Sequence, residues 1–389
     1  MPKPISAALA LALAPIPALA ASPLPVAPFT TPQASLDGPI ALMVDAGSGR
    51  VLYSRSANRR FVPASITKIM TAFVAFELVD QRRLDLRQQF TVSPEISREW
   101  SGKGTSMFLQ AGSQVTVQDL LRGIVTVSAN DACVVLATGI AGSVPRFTEM
   151  MNAKARELGL RNSRFGTPNG WPDEGGTYVS AADLAVLGSA LIDRHPDLYG
   201  RFFGHSEMTW DGRTQRNHNP LYGFVAGADG IKTGFTNEAG YGFVGSAMRH
   251  GRRVTMVVAG YDHGRERDEQ ARGFMEWAFS AWEQRKLFAA GQEITDVRVQ
   301  GGDTHSVALA APRDLFVTLP KGGNADYSLA VRYFGPLRAP ISKGQRAGAL
   351  VVSMPGEQPI ELPLVATEAV ARGGPFDRLL SGLAGLVGL

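Results

Sequence analysis

Hydrophobic residues change their period several times along this chain, and the order of those changes restricts the fold more than any other feature. Residues 40–44 and 51–54 are apolar, β-prone runs joined by Asp45-Ala46-Gly47-Ser48-Gly49, which is hairpin punctuation. A second hairpin is legible at residues 241–248 and 253–259, around the turn at His250-Gly251. Between the two hairpins the period is helical, over residues 66–78, 117–137, 147–158 and 181–191. After the second hairpin, Ala271, Phe274, Met275, Ala278 and Trp282 recur at helical spacing and give one apolar face. Strands at both ends with helices between them predict one antiparallel sheet, covered by helices and closed by segments distant in sequence.

From about residue 292 the character changes. Short alternating runs at residues 306–310, 315–319, 327–333 and 349–354 are separated by Gly and Pro clusters, which predicts a small all-β domain. The fold class expected is therefore α+β. A chain of 389 residues with 44% hydrophobic side chains is long enough for two such cores.

The ends read differently. Lys3, the apolar residues 5–13 and Ala18-Leu19-Ala20 have the charged, apolar and cleavage parts of a secretory signal. Pro15 and Pro17 break a run already shorter than the ~20 residues a membrane span needs. At the other end Phe376, Leu379, Leu380, Leu383, Leu386 and Val387 form an amphipathic stripe opposite Asp377, Arg378 and Ser381, suited to a membrane surface. Gly382, Gly385 and Gly388 weaken that helix by about 1 kcal/mol each relative to Ala, so a tail packed on the protein or left disordered is the alternative. The expected division is a signal at 1–20, a Pro-rich linker at 21–35, a first domain at 36–288, an all-β domain at 289–372 and a tail at 373–389.

Composition excludes several functions. The single cysteine, Cys133, rules out an internal disulfide framework and sits in an apolar run, as a small buried hydrophobe would. The histidines at 195, 205, 218, 250, 263 and 305 lack the paired spacing of a zinc site, and no metal or cofactor is expected. A net charge of +4 is too small to imply nucleic acid as a partner.

The chemistry begins at Pro63-Ala64-Ser65-Ile66-Thr67-Lys68, which opens the most apolar helical stretch. Positions i and i+3 share a helix face, so the Ser65 hydroxyl and Lys68 amine come within reach of each other. A serine needs a base to attack a carbonyl, and a lysine serves once burial has depressed its pKa. Ile66, Ile69, Met70 and Phe73 supply that burial. A Ser and a Lys three apart arise about once or twice by chance in a chain this long, so the pair needs company. Ser128-Ala129-Asn130 lies where one helical pattern ends and another opens, and Lys232-Thr233-Gly234 follows a Gly227-Ala228-Asp229-Gly230 turn at the start of an edge-like strand.

Ser-x-x-Lys, Ser-x-Asn and Lys-Thr-Gly in this order resemble the motif set of serine β-lactamases and penicillin-binding proteins. Residues 40–53, 63–71, 128–136 and 229–241, the β-rich segment and the tail are similar to the D-alanyl-D-alanine carboxypeptidases among low-molecular-mass penicillin-binding proteins. The resemblance implies a penicillin-binding, β-lactamase-like transpeptidase domain followed by a small all-β domain. Ser65 is then the nucleophile, Lys68 its base and Ser128 the proton relay, with Asn130 on the substrate amide. Lys232 and Thr233, beside Gly234, meet the substrate carboxylate, and Lys232 lowers the neighbouring amines by its charge. The N–H groups of Ser65 and Phe235 form the oxyanion hole. Arg265 resembles the family's carboxylate-side arginine, with a solvated helix-start arginine as the alternative. Implied partners are stem peptides ending in D-Ala-D-Ala, β-lactams, and a membrane surface met by the tail of an exported, periplasmic protein peripherally attached to the cytoplasmic membrane.

Two positions depart from the family pattern: Phe235 stands where histidine is frequent, and His218 near where arginine is common. A class A β-lactamase uses an added glutamate on a loop between the second and third motifs, and none appears around Phe165-Gly166-Thr167-Pro168-Asn169. An endopeptidase acting on cross-links shares the same chemistry and stays open. So does a silent envelope scaffold, which acylation of Ser65 would distinguish.

Overall fold

The computed structural model describes residues 36–322 and 326–374. The expected signal, linker and membrane-surface stripe lie outside the described residues. The described residues divide into two units, one formed by residues 36–46 and Val51–Ala281, the other by Gly47–Arg50 and the described residues from Trp282 onward.

In the first unit the chain runs β1 (Ile40–Asp45), β2 (Val51–Arg55), α1 (Lys68–Asp80), β3 (Gln89–Thr91), α2 (Pro94–Trp100) and β4 (Gln114–Thr116). It continues through α3 (Val117–Thr126), α4 (Asn130–Ala141), α5 (Val144–Glu157), α6 (Ala181–Arg194), α7 (Pro196–Phe202), β5 (Glu207–Trp210) and β6 (Arg213–Arg216). It closes with β7 (Ala228–Thr236), β8 (Gly240–Arg249), β9 (Arg252–Tyr261) and α8 (Gly264–Ala281). Five strands form one antiparallel sheet in the order β2-β1-β9-β8-β7, so the first and second hairpins meet at β1 and β9, in register from Ile40↔Ala259 to Asp45↔Val254. Successive residues of β1 point to opposite faces. Ile40, Ala41, Leu42 and Met43 are nonetheless all buried, so helices cover both faces, as the sequence predicts.

Local chemistry explains the helix ends. Thr116 and Ser180 accept hydrogen bonds from Asp119 and Asp183 N–H at the starts of α3 and α6. Ser143 caps α5, with proline in its first turn. The helical pattern predicted over 117–137 is two helices, broken at residues 127–129, where the Ser-x-Asn motif sits.

The second unit holds β10 (Trp282–Phe288), β11 (Glu293–Gln300), β12 (Ser306–Ala310), β13 (Leu315–Pro320), β14 (Ser328–Arg332), β15 (Leu337–Arg338), β16 (Arg346–Ser353) and β17 (Ile360–Ala366). Its six-stranded sheet has the order β14-β16-β17-β12-β11-β15, and β10 pairs with β13. The boundary expected after residue 288 falls at 281, because Trp282–Phe288 is a strand that pairs with Leu315–Pro320. Trp282, read as the last residue of a helical face, opens that strand. Helical and strand periods both bury it, so its hydrophobicity did not distinguish them.

Candidate active site

Ala64–Thr67 form a single 3-10 turn ahead of α1. Side chains three apart eclipse in such a turn, which aligns Ser65 with Lys68 more tightly than an α-helix would. Lys68 Nζ lies 2.6 Å from Ser65 Oγ and donates to Asn130 Oδ1 and the Asn169 carbonyl, each at 2.8 Å. Lys68 is 1% exposed. Burial lowers its pKa to about 8, against smaller opposing influences from Cys133 and Asp131. A neutral amine has two hydrogens and one lone pair. With the hydrogens on Asn130 and Asn169, the lone pair is left for the Ser65 hydroxyl, the geometry a general base requires.

The second motif is held from outside its own helix. Ser128 has φ +65° and Ala64 φ +49°, left-handed values that cost a non-glycine residue about 1–3 kcal/mol each. At Ser128 the strain is held by Thr105, whose hydroxyl donates to the Ser128 carbonyl at 2.6 Å. Asn130 N–H donates to the Thr105 carbonyl at 2.8 Å, and Asn130 Nδ2 to the Lys103 carbonyl at 2.9 Å. The same loop is fastened by Asp131, a buried carboxylate that accepts from Ser106 Oγ at 2.6 Å and from Met107 and Leu109 N–H at 3.0 Å.

The third motif lies in the middle of β7 rather than at its start, on the edge of the five-stranded sheet. Gly234 lets that edge approach the turn that carries Ser65, since a Cβ there would stand 2.5 Å from the Pro63 carbonyl. Gly170 is required for a similar reason, with φ +72° and a Cβ position 1.8 Å from the Ala64 carbonyl. Lys232 is buried, and its Nζ donates to the Thr233 carbonyl at 2.9 Å. Burial first, and the charge of Lys68 second, push its pKa well down. Lys232 is expected to lower the neighbouring amine by its charge as well; for Lys68 the lowering comes from burial, and the charge effect is resolved from Lys68 onto Lys232.

Ser65, Ser128, Asn130, Thr233, Gly234 and Phe235 line one cleft of about 450 Å³, beneath which Lys68 and Lys232 are buried. Phe235 stacks on Tyr241, its cross-strand partner, with ring centres 4.1 Å apart. Arg265 does not line the cleft. Its side chain is 89% exposed and pairs with Glu269 at 2.8 Å, so the solvated alternative describes it. Arg267 takes the cleft position, buried, with one guanidinium nitrogen donating to the Gly242 carbonyl at 2.8 Å. The signal for this was present, because residue 267 precedes Ala271 by one helical turn and Phe274 by two, on the face already read as buried. His218 also lines the cleft, its pKa lowered by desolvation and then by the charges of Lys232 and Arg267. Thr105, Asp131, Asn169 and Trp171 had no signal, since each acts on, or through, the backbone of loops.

Among the described residues no group of His, Cys, Asp and Glu side chains is arranged to hold a metal ion. None of their helices is long and apolar enough to cross a membrane.

Comparison with known proteins agrees with this geometry. A family described as D-alanyl-D-alanine carboxypeptidase matches residues 27–263, and one described as penicillin-binding protein 5, C-terminal domain, matches residues 282–372. The D-alanyl-D-alanine carboxypeptidase DacD of Salmonella typhimurium is 35% identical over 374 residues, 93% of each chain. The crystal structure of penicillin-binding protein 5 from Haemophilus influenzae superposes with a TM-score of 0.75 at 34% identity, covering 88% of this chain and 99% of that one. Penicillin-binding protein D2 from Listeria monocytogenes, solved in its ampicillin-bound form, matches with a TM-score of 0.58 at 30% identity, covering 64% of this chain and all of that one. With its three motifs gathered on one cleft and these likenesses spanning both units, the chain belongs to the D-alanyl-D-alanine carboxypeptidase family of penicillin-binding proteins.

Proposed function

We propose that Ser65 is the acylated nucleophile of this serine-type D-alanyl-D-alanine carboxypeptidase, and that its substrate is a peptidoglycan stem peptide ending in D-Ala-D-Ala. The observation that carries the assignment is the Lys68 amine, buried and 2.6 Å from the Ser65 hydroxyl, with two acceptors placed for its remaining hydrogens. Lys68 takes the Ser65 proton as the oxygen attacks the carbonyl of the penultimate D-alanine. The N–H groups of Ser65 and Phe235 stabilise the oxyanion, and Asn130 orients the substrate amide. Collapse breaks the peptide C–N bond, with the proton passed through Ser128 to the departing amine. Water deprotonated by Lys68 then attacks the acyl-Ser65 ester and releases the shortened peptide. Lys232, Thr233 and Arg267 receive the terminal carboxylate, Arg267 taking the role first assigned to Arg265.

A β-lactam acylates the same serine in this reading, supported by the ampicillin-bound form of the Listeria relative. The protein works in the periplasm after removal of residues 1–20, with residues 373–389 resting against the cytoplasmic membrane. Support for this comes from the composition of both ends, and deletion of residues 375–389 is expected to release the protein from membrane fractions without loss of turnover. Persistent membrane association would remove the anchor. The chemistry is tested by intact-protein mass spectrometry after a fluorescent penicillin, with assay of free D-alanine from a pentapeptide. The wild type is expected to gain one adduct and release D-alanine, and Ser65→Ala to do neither. Labelling of Ser65→Ala would overturn the assignment.

A further inference from the structure

Two loops that hold catalytic groups meet at a lysine side chain. Lys103 lies in the loop after α2, and its backbone carbonyl is the acceptor that fixes Asn130 Nδ2. Trp171 lies in the loop whose Asn169 carbonyl accepts from Lys68 Nζ, and Trp171 N–H donates to Asn169 Oδ1 at 3.0 Å. Neither segment belongs to a helix or a sheet ladder. Their tips are joined through side chains instead. Lys103 Nζ stands 4.3 Å from the ring centre of Trp100 and 4.9 Å from that of Trp171. The two indoles meet edge to face, with centres 5.7 Å apart at 88°. Glu99 lies 3.7 Å from the ammonium and balances its charge.

We infer that Trp100, Lys103 and Trp171 form a cation–π latch across one rim of the cleft, and that Lys103 is thereby a positioning residue for Asn130 and Lys68 during acylation. A cation between two ring faces is held by the ring quadrupoles, and the attraction strengthens as the cation leaves water. Lys103 is partly withdrawn, with its side chain 35% exposed. Pairing of this kind favours the closed arrangement by about tenfold. When the latch opens, Asn130 loses a fixed acceptor and the Asn169 turn is freed to drift. The lone pair of Lys68 then spends less time aligned on Ser65, which lowers the chemical step while the substrate contacts on β7 persist.

The inference rests on the assignment of Ser65 and Lys68 above, and the test separates the two. Full-length wild type, Lys103→Met and Lys103→Arg are compared for kcat and KM on a D-Ala-D-Ala pentapeptide, and for penicillin acylation between about pH 6 and 10. Methionine keeps most of the bulk and loses the cation, whereas arginine keeps the cation and stacks on indole faces. Lys103→Met is expected to lose about tenfold in kcat and in acylation rate, with KM within about twofold and the pH midpoint of acylation displaced. Lys103→Arg is expected to recover both to within about threefold, and Trp100→Leu to reproduce the methionine pattern. A methionine variant with wild-type rates and pH profile overturns the latch. Equal losses in both lysine variants overturn it in favour of simple packing, and a raised KM at constant kcat in favour of direct substrate contact. A wild type that takes up no penicillin overturns the Ser65 assignment, and the latch with it.

Discussion

The two units of this protein bury different chemistry. The unit that carries the cleft buries Lys68, Asn130, Asp131, Lys232 and Arg267 among its apolar side chains. In the unit from Trp282 onward the core is Val297, Val307, Leu309, Leu315, Val317, Leu350 and Leu364, and Thr318 is the one polar residue buried among its described strands. Polar groups withdrawn from water destabilise a fold unless each finds a partner. The first unit supplies those partners, and two left-handed non-glycine residues besides, around one cleft. Its apolar helices and sheet offset that cost. The second unit carries less of that burden, in Thr318, Ser48 and Arg50, whose guanidinium pairs with Glu357, and most of its stability follows from apolar burial.

The sharpest way to break this contrast is Lys68→Ala. Removing the proposed base is expected to slow penicillin acylation by roughly 10²–10⁴-fold while the fold survives, checked by stopped-flow labelling and circular dichroism. Near-normal acylation would mean that the buried lysine is structural. Asp131→Ala comes next. It strands the Ser106 hydroxyl and the Met107 and Leu109 N–H groups, and is expected to destabilise the first unit by about 3 kcal/mol or more in urea unfolding. Leu309→Ala, in the core of the second unit, should cost roughly 2–5 kcal/mol through its cavity, yet leave acylation of the folded protein unchanged. A slowed acylation there would erase the distinction between the units.

The dependence on pH sharpens the contrast without any substitution. Lys68 acts as a base only when neutral, and its pKa is lowered to about 8. Acylation should therefore rise about tenfold per pH unit below about 8 and level off above it. A rate independent of pH across that interval would exclude a lysine with this pKa as the base.

Much of this was legible in the residues. The two hairpins, the helices between them and the β-rich end follow from hydrophobic period, which reports which face is buried whatever the partner. Strand Ser306–Ala310 falls where alternation predicts it. Short elements were not legible: few apolar residues mark a buried side in α2 and the β5–β6 hairpin, and α7 is too short for Leu198, Tyr199 and Phe202 to establish a period. The choice of Arg265 rests on resemblance alone, whereas the helical period of residues 271–278 favours Arg267.

By itself the sequence determined which chemical groups the site contains, because Ser65 and Lys68, Ser128 and Asn130, and Lys232 and Thr233 are each joined by a few covalent bonds. Local geometry of a turn, a helix start or a strand is enough to orient each pair. Only tertiary structure decided how the three pairs meet. The Thr105, Lys103 and Asn169 carbonyls are placed by loops distant in sequence from the groups they bind, and whether a lysine is desolvated depends on which of those loops close over it. Loop backbone carries no side-chain pattern, so its contacts leave no trace in hydrophobic period or motif spacing.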